Sequence, residues 1–159
     1  IQSTDFYPTI LSLLDIAPPA NHELDGVDIT SVLKGNSPEP RGIVTYFPHA
    51  PRVPDWLPPA AAAHFGDWKL IRLFYQGKDG QHDHLLYNLK WDIGEKYNLA
   101  NNYPDKLRAL DNLIEGHLKS ANAVLPLRNP DFDPAKYAAE VNGIRRPELK
   151  NAPDIITDR

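Results

Sequence analysis

Residues 68–75 impose the strongest constraint on the fold of this chain. Apolar side chains occur at both alternating sets of positions in this run, and alternate side chains of a β-strand point to opposite faces of the sheet. A strand that is apolar on both faces is typical of the centre of a sheet, where both faces are covered. The run is therefore predicted to be a central strand with neighbours on either side.

Nearby segments supply those neighbours. Residues 43–47 and 61–65 are rich in β-branched, aromatic or small apolar side chains, and each predicts a strand. Lys78, Asp79 and Gly80 form a hairpin-turn sequence, and residues 84–89 predict the strand that returns. The order of these segments along the chain predicts an antiparallel meander.

A long helix is predicted after the meander, over residues 104–121. Pro104 falls in its first turn, where the missing N–H breaks no hydrogen bond. A continuous apolar stripe follows at helical spacing. Its members are Leu107, Leu110, Ile114, Leu118 and Ala121. We expect this stripe to pack on one face of the sheet, which makes the fold class α+β, with about four strands.

Another helix is predicted near the start of the chain, over residues 5–17. Asp5 is its expected N-cap, and Pro18 follows its expected end. Phe6, Ile10 and Leu13 lie on one face by helical spacing. Because no nearby segment is predicted to cover that face, we expect these side chains to form an exposed apolar patch in the isolated chain.

Composition excludes several classes of protein. The 159 residues include no cysteine, which excludes disulfides, zinc–thiolate sites and a cysteine nucleophile within the chain. The net charge of −4 gives no indication of a nucleic-acid or anionic-membrane partner, and no apolar run is long enough to cross a bilayer. The chain has no methionine and starts on a helix signal, which favours a fragment of a longer protein.

Four segments match known motifs in sequence order. Residues 3–11 fit D-x-x-P-T-[IL]-[IL], residues 24–29 fit D-G-x-S-[IL] with Asp28 where Ser is usual, and residues 65–71 fit G-[DN]-[WY]-K-[LY]-[IV]. Residues 86–100 fit L-Y-[ND]-L-x-x-D-x-x-E-x-x-N-L-A. Together they resemble the C-terminal region of formylglycine-dependent sulfatases, in the alkaline phosphatase-like superfamily, over residues 3 to about 122.

The resemblance implies a division of the chain and a setting for it. Residues 1–36 would end the N-terminal α/β domain, residues 37–125 would form the C-terminal subdomain, and residues 126–159 would be an irregular tail. Residues 46–49 resemble the Y-P-H stretch of sulfatases acting on polysaccharides and glycosaminoglycans. The implied partners are therefore a sulfated carbohydrate and the upstream catalytic domain, in the periplasm or outside the cell.

The resemblance also implies what this chain lacks. Sulfatases make formylglycine from Cys or Ser in a C/S-x-P-S/A-R motif, and no such motif occurs here. No segment matches the family's calcium-ligand motifs either. Catalytic residues and metal ligands are therefore expected to be absent from this chain. Calcium and formylglycine are expected in the full-length enzyme, where a hydrated aldehyde attacks sulfur.

His49 and Arg52 are the candidate substrate-binding residues. Both lie in the Pro-rich loop of residues 48–59, and loops on a scaffold often carry function. The Arg fork can donate two parallel hydrogen bonds to a sulfate. The alternative is that both are ordinary loop residues.

Other polar residues have structural interpretations that we favour. Lys69 is expected to be a strand lysine with a packed stem and a solvated head rather than a cation near substrate. His82 and His84 could share a metal ion, but no further ligands are evident in the sequence. Asp25 and Asp28 fit a turn better than a calcium loop.

The segment between the last strand and the long helix carries a further set of polar residues. Asp92, Glu95 and Asn98 are expected to hold this loop through hydrogen bonds to the backbone. A catalytic Asp92–Glu95 pair, as in a glycosidase, is disfavoured because nothing places a substrate between the two.

Two competing functions remain open from the sequence. The chain could be an independently folded, non-catalytic module that binds carbohydrate or assembles with another chain, with Trp56 and Trp68 as stacking surfaces. It could also be part of a related hydrolase such as a phosphodiesterase, but the motifs of residues 65–71 and 86–100 argue against that.

Overall fold

The computed structural model describes residues 1–49 and 58–131. The chain divides into two compact units, Ile1–Pro40 and Arg41–Arg159, here called the N-terminal unit and the sheet unit. Within the described residues, no helix combines the length and apolar character needed to cross a bilayer.

The N-terminal unit contains two helices, α1 at Phe6–Leu13 and α2 at Thr30–Leu33, after a 3₁₀ turn at Ser3–Asp5. Helix α1 ends four residues earlier than predicted. Asp15 adopts a left-handed backbone with φ of 54°, and the Ile16 N–H donates to the Leu11 carbonyl at 2.9 Å. These two features form a Schellman motif, which ends the helix before Pro18 is reached.

Asp5 lies at the N-cap position of α1, as predicted, but its side chain makes no capping hydrogen bond to this helix. Its carboxylate accepts from the Gln2 N–H at 2.7 Å and from the Val27 N–H at 3.1 Å. Thr9 completes the connection, because its hydroxyl donates to the Asp5 carbonyl at 2.6 Å and accepts from the Ile29 N–H at 3.0 Å. Asp5 and Thr9 are both buried. The D-x-x-P-T motif therefore holds the following turn onto α1.

The turn of residues 24–29 approaches the chain before α1 very closely. A Cβ added to Gly26 would lie 2.0 Å from the Thr4 carbonyl oxygen, so only glycine fits at this position. Asp28 then accepts from the Thr30 N–H at 2.8 Å and from its hydroxyl at 2.6 Å. Asp28 lies one residue before Ile29, the N-cap of α2, and its bond to the Thr30 N–H forms an Asx-turn. A Ser side chain can form the same kind of turn, which explains how Asp28 replaces the usual Ser.

The apolar face of α1 is exposed, as predicted. Phe6, Ile10 and Leu13 are 57%, 53% and 59% exposed. Side chains this large and this exposed on one helix face make a patch of the kind that a partner usually covers.

The sheet unit is built on four antiparallel strands in the order β1–β2–β3–β4. They are Ile43–Phe47, Ala60–Phe65, Trp68–Leu73 and Asp83–Asn88. The predicted meander and the α+β class are confirmed, and β3 is an interior strand. Two core clusters explain why β3 is apolar on both sides. Leu70 and Trp68 belong to one cluster, and Ile71 and Leu73 belong to the other.

Helix α3, at Pro104–Ser120, covers one face of the sheet. Leu110, Ile114 and Leu118 are buried in the same cluster as Leu70, as the predicted stripe requires. Ala121 lies beyond the helix end and is exposed. The Trp68 ring lies 5.0 Å from the Tyr103 ring, at the start of α3. The helix therefore runs from the Trp68 end of β3 towards its other end.

Candidate substrate-binding end of the sheet

Two connections of the meander leave and rejoin the strands at the same end of the sheet, here called the loop end. One is the β1–β2 connection of residues 48–59, and the other is the β3–β4 hairpin of residues 74–82. The register places Phe47 opposite Ala60, and Leu73 opposite Asp83. The Phe74 N–H donates to the Pro59 carbonyl at 2.9 Å, which joins the two connections directly.

His49 lies at the loop end and is exposed to solvent. Its ring meets the Phe47 ring edge-on, with 5.4 Å between the ring centres. An exposed imidazole on the first residues of a loop is free to contact a ligand. Arg52, the other predicted substrate-binding residue, lies outside the described residues.

The hairpin contains an unusual backbone conformation at Tyr75. Its φ is 58°, a left-handed value that is rare for a bulky side chain. The Tyr75 N–H donates to Nδ1 of His82 at 3.2 Å. The two rings also contact each other, with centres 4.9 Å apart. His82 therefore stabilises Tyr75 through both a hydrogen bond and ring packing.

The chain after α3 returns to the loop end. The Tyr46 hydroxyl donates to the Val124 carbonyl at 2.6 Å. The guanidinium of Arg128 lies so close to Gly80 that a Cβ there would approach its Cζ to 2.6 Å. Lys78 and Arg128 are both exposed. Lys78 of the hairpin and the neighbouring Arg128 thus place two cations at the sheet end that also presents His49.

A group of charged side chains is partly enclosed between α3 and β3. Arg72 is only 4% exposed, and its guanidinium donates to Asp111 at 2.7 Å and to Glu115 at 2.9 Å. It also donates to the Asp111 carbonyl at 3.2 Å. His84 lies 3.3 Å from the same Asp111 oxygen. A buried guanidinium is therefore satisfied by two carboxylates one turn apart on α3.

These contacts set the pKa of Asp111 at about 2, below its ordinary value of 3.8. Burial acts to raise it, but hydrogen bonds from His84 and Arg72, together with their charges, outweigh burial. Because the pKa is lower in the folded state, ionised Asp111 stabilises the sheet unit above about pH 4. That contribution is lost as the pH falls from about 4 to about 2.

The acid unfolding of the chain should therefore depend on Asp111. Asp111→Asn is expected to remove about 2 kcal/mol of the difference in unfolding free energy between neutral pH and about pH 2. Urea titrations over that pH range measure it. Asp105, which is 93% exposed in its pair with Arg108, provides the control, and Asp105→Asn should leave the pH dependence unchanged. If the unfolding free energies of the wild type, Asp111→Asn and Asp105→Asn depended equally on pH, Asp111 would not be the group responsible.

The motif residues of the sheet unit bind each other rather than facing an open site. Lys69 Nζ lies 2.6 Å from Glu95 Oε1, with the Lys69 side chain 18% exposed. The prediction that the Lys69 ammonium group is solvated is therefore wrong, because this group pairs with Glu95. Asp92 accepts from the Lys96 and Tyr97 N–H groups. The prediction that Asp92 organises the loop through backbone hydrogen bonds is confirmed, whereas Glu95 acts through Lys69.

Asn98 joins the same loop to β4. Its Oδ1 accepts from the N–H groups of Leu86 at 2.9 Å and Ala100 at 3.0 Å, and its Nδ2 donates to the His84 carbonyl at 3.1 Å. The prediction for Asn98 is confirmed. Asn98 therefore holds the motif of residues 86–100 together and fixes it to β4, while the Lys69–Glu95 pair joins that motif to the one of residues 65–71.

His82 and His84 have separate partners, Tyr75 and Asp111. Among the described residues, no three His, Cys, Asp or Glu side chains are arranged to hold a metal ion.

Trp68 is not available as a stacking surface, which corrects the alternative based on it. Its side chain is 8% exposed and belongs to the core beneath α3. Lys106 Nζ lies 5.7 Å from the centre of the ring. Trp56, the other proposed stacking residue, lies outside the described residues.

Sequence reasoning missed Tyr75, His82 and Arg72 in these roles. Arg72 could have been recognised, since a charged side chain in a strand that is apolar on both faces requires a partner when it is buried. Asp111 and Glu115 are four residues apart on the helix predicted to cover that strand. The left-handed conformation of Tyr75 could not be predicted from the sequence, because tyrosine rarely adopts it.

No protein-family profile matches the sequence. Solved structures do match the fold. A candidate sulfatase of Bacteroides thetaiotaomicron VPI-5482 superimposes with a TM-score of 0.56 at 21% identity, covering 79% of this chain and 27% of that one. BT4656, solved in complex with its substrate D-glucosamine-2-N,6-O-disulfate, gives a TM-score of 0.52 at 21% identity, covering 74% and 24%.

A third structure extends the comparison to another sugar. Ps i-CgsB, in complex with k-i-k-neocarrahexaose, gives a TM-score of 0.52 at 22% identity, covering 71% of this chain and 23% of that one. The chain therefore shares its fold with part of these proteins and spans about a quarter of their length.

Proposed function

We propose that this chain is the C-terminal part of a sulfatase that hydrolyses sulfate esters of a carbohydrate. The proposal is based on the agreement between the order of the sulfatase-like motifs in the sequence and the fold that they form. Motifs that resemble those of sulfatases build a meander and helix that sulfatase-related structures share. The neighbours solved with sugars, one sulfated and one a neocarrahexaose, favour a carbohydrate substrate.

In this proposal the loop end borders the substrate cleft of the full-length enzyme. His49 is exposed there and can donate to a sugar hydroxyl or a sulfate oxygen, and Arg52 follows three residues later in the same connection. Their role is binding and orientation. The nucleophile and the calcium ligands belong to the upstream catalytic domain, so the chain alone is inactive, and the enzyme acts in the periplasm or outside the cell.

The alternative of an independent carbohydrate-binding module is less well supported. Burial of Trp68 removes one of its two proposed stacking surfaces. The exposed apolar face of α1 also suits a segment that packs against more protein.

The test uses the full-length polypeptide that contains this sequence. We expect it to release sulfate from members of a panel of sulfated glycosaminoglycans and carrageenan oligosaccharides. His49→Ala should raise KM by about tenfold with a smaller change in kcat, since one hydrogen bond to an anion contributes about that much. His117, exposed on α3, provides the control, and His117→Ala should leave both constants unchanged.

Two results would contradict the proposal. One is the absence of a C/S-x-P-S/A-R motif upstream of residue 1 in the full-length sequence, and the other is sulfate release by the 159-residue chain on its own. An active enzyme in which His49→Ala and His117→Ala behave alike would remove His49 from the substrate site while leaving the enzyme class intact.

A further inference from the structure

Tyr75 packs against the core cluster that contains Leu70, and it combines three further features. It is a bulky residue in a left-handed conformation, with φ of 58°. Its side chain is only partly buried. It also lies in the hairpin at the same end of the sheet as His49. Left-handed non-glycine residues cluster at ligand clamps, because a strained conformation persists only where the surroundings hold it.

The surroundings that hold Tyr75 are specific. The His82 Nδ1 accepts its backbone N–H at 3.2 Å. The rings of Phe74 and His82 lie 6.4 Å and 4.9 Å from the Tyr75 ring. Phe74 is in turn joined to Pro59, in the connection that carries His49. The position of the Tyr75 ring is therefore coupled to both connections at the loop end.

We propose that Tyr75 contacts a sugar ring of the substrate and that His82 is its positioning residue, an inference that rests on the proposed function. A tyrosine presents a flat apolar face for the C–H groups of a sugar and a hydroxyl for its polar groups. The ring would bind the carbohydrate, while the cations of the same end would face its sulfate groups.

The hydrogen bond from Tyr75 requires that Nδ1 of His82 carries no proton. The charged groups around His82 are Arg72 on β3, His84 on β4, and Asp111 and Glu115 on α3. Burial is the largest influence and lowers the pKa of His82, and Arg72 and His84 act in the same direction against the two carboxylates. The imidazole is thus kept as an acceptor at neutral pH, and acid would release Tyr75.

The test compares two substrates of the full-length enzyme, a sulfated oligosaccharide from the panel and 4-nitrophenyl sulfate, which has no sugar ring. Tyr75→Asn keeps a residue that tolerates the left-handed conformation but removes the ring. It should raise KM for the oligosaccharide by about tenfold and leave KM for 4-nitrophenyl sulfate unchanged. Tyr75→Phe retains the ring and should remain within about twofold of the wild type.

His82 is tested by variants that separate its hydrogen bond from its ring. His82→Asn retains an acceptor near the position of Nδ1 and should keep the low KM. It should also lack the rise in KM at acid pH that we expect for the wild type. His82→Phe retains the ring without the acceptor and should resemble Tyr75→Asn. A merely structural role would change the melting temperature without moving the pH profile of KM.

The outcomes separate this inference from the proposed function. A full-length enzyme that releases no sulfate from any member of the panel overturns both. An active enzyme in which Tyr75→Asn binds the oligosaccharide as the wild type does overturns only the role of Tyr75. Equal losses with both substrates would show that Tyr75 supports the fold and does not contact sugar.

Discussion

Asp111→Ala is expected to destabilise the sheet unit by about 3 kcal/mol, and Arg72→Met by only about 1 kcal/mol. The two substitutions break the same ion pair, but they leave different charges behind. Arg72 has a side chain 5% exposed, whereas Asp111 is 29% exposed and Glu115 is 67% exposed. Removing Asp111 leaves a buried cation poorly compensated, while removing Arg72 leaves carboxylates that water can reach.

Urea unfolding at neutral pH measures this asymmetry. Glu115→Ala should cost less than about 0.5 kcal/mol because its carboxylate is mostly hydrated. Asp105→Ala, at the exposed pair with Arg108, is the matched control and should fall in the same small range. The double variant Arg72→Met with Asp111→Leu should recover most of the loss, since an apolar pair of similar volume often replaces a buried ion pair. A larger loss for Arg72→Met than for Asp111→Ala would contradict this account.

Gly26→Ala is expected to detach the turn of residues 24–29 from α1. The added methyl would lie 2.0 Å from the Thr4 oxygen and 2.4 Å from its carbon, and backbone atoms cannot move aside as a flexible side chain can. The bonds from Val27 to Asp5 and from Ile29 to Thr9 should then be lost together, at about 1 kcal/mol each. Strain and lost packing should bring the total to about 3 kcal/mol.

Hydrogen exchange of the Val27 and Ile29 amides reports the change directly, and both should exchange at least tenfold faster. Gly116 provides the matched control. It is exposed on α3, and a methyl group added there would meet nothing within 4 Å apart from its chain neighbours and the backbone of its own helix, so Gly116→Ala should stabilise the chain by about 1 kcal/mol. Protection of Val27 and Ile29 that survives Gly26→Ala would show that the turn does not depend on this close approach.

Periodicity predicted most of the elements because it reports burial directly. The stripe of α3 and the two apolar faces of β3 correspond to real contacts in two core clusters. The predicted end of α1 lies four residues beyond the observed one, because Asp15 adopts a left-handed conformation. Aspartate tolerates that conformation, but an aspartate in the sequence does not predict it. Lys69 and Trp68 were misjudged because their exposure depends on Glu95 and α3, which lie far away in the sequence.

The candidate site was only partly predictable for the same reason. His49 could be chosen from its loop and its motif, and the structure places it at the loop end. The predicted meander already placed the β3–β4 hairpin at the same end, but only the structure showed Tyr75 in a left-handed conformation held by His82. Distances between residues separated by some 25 positions are not encoded in any local pattern.

Local sequence determined by itself the types of the elements and the faces that are buried, because each depends on side-chain spacing along a single element. The order of the strands followed from their order along the chain, since consecutive strands usually pair. Local sequence also determined the motifs and the absence of a formylglycine motif. Only the tertiary structure decided which polar residues pair, as with Lys69 and Glu95 or Arg72 and Asp111. Such pairs depend on packing between distant segments, and packing decides which charges lose their water and must find a partner.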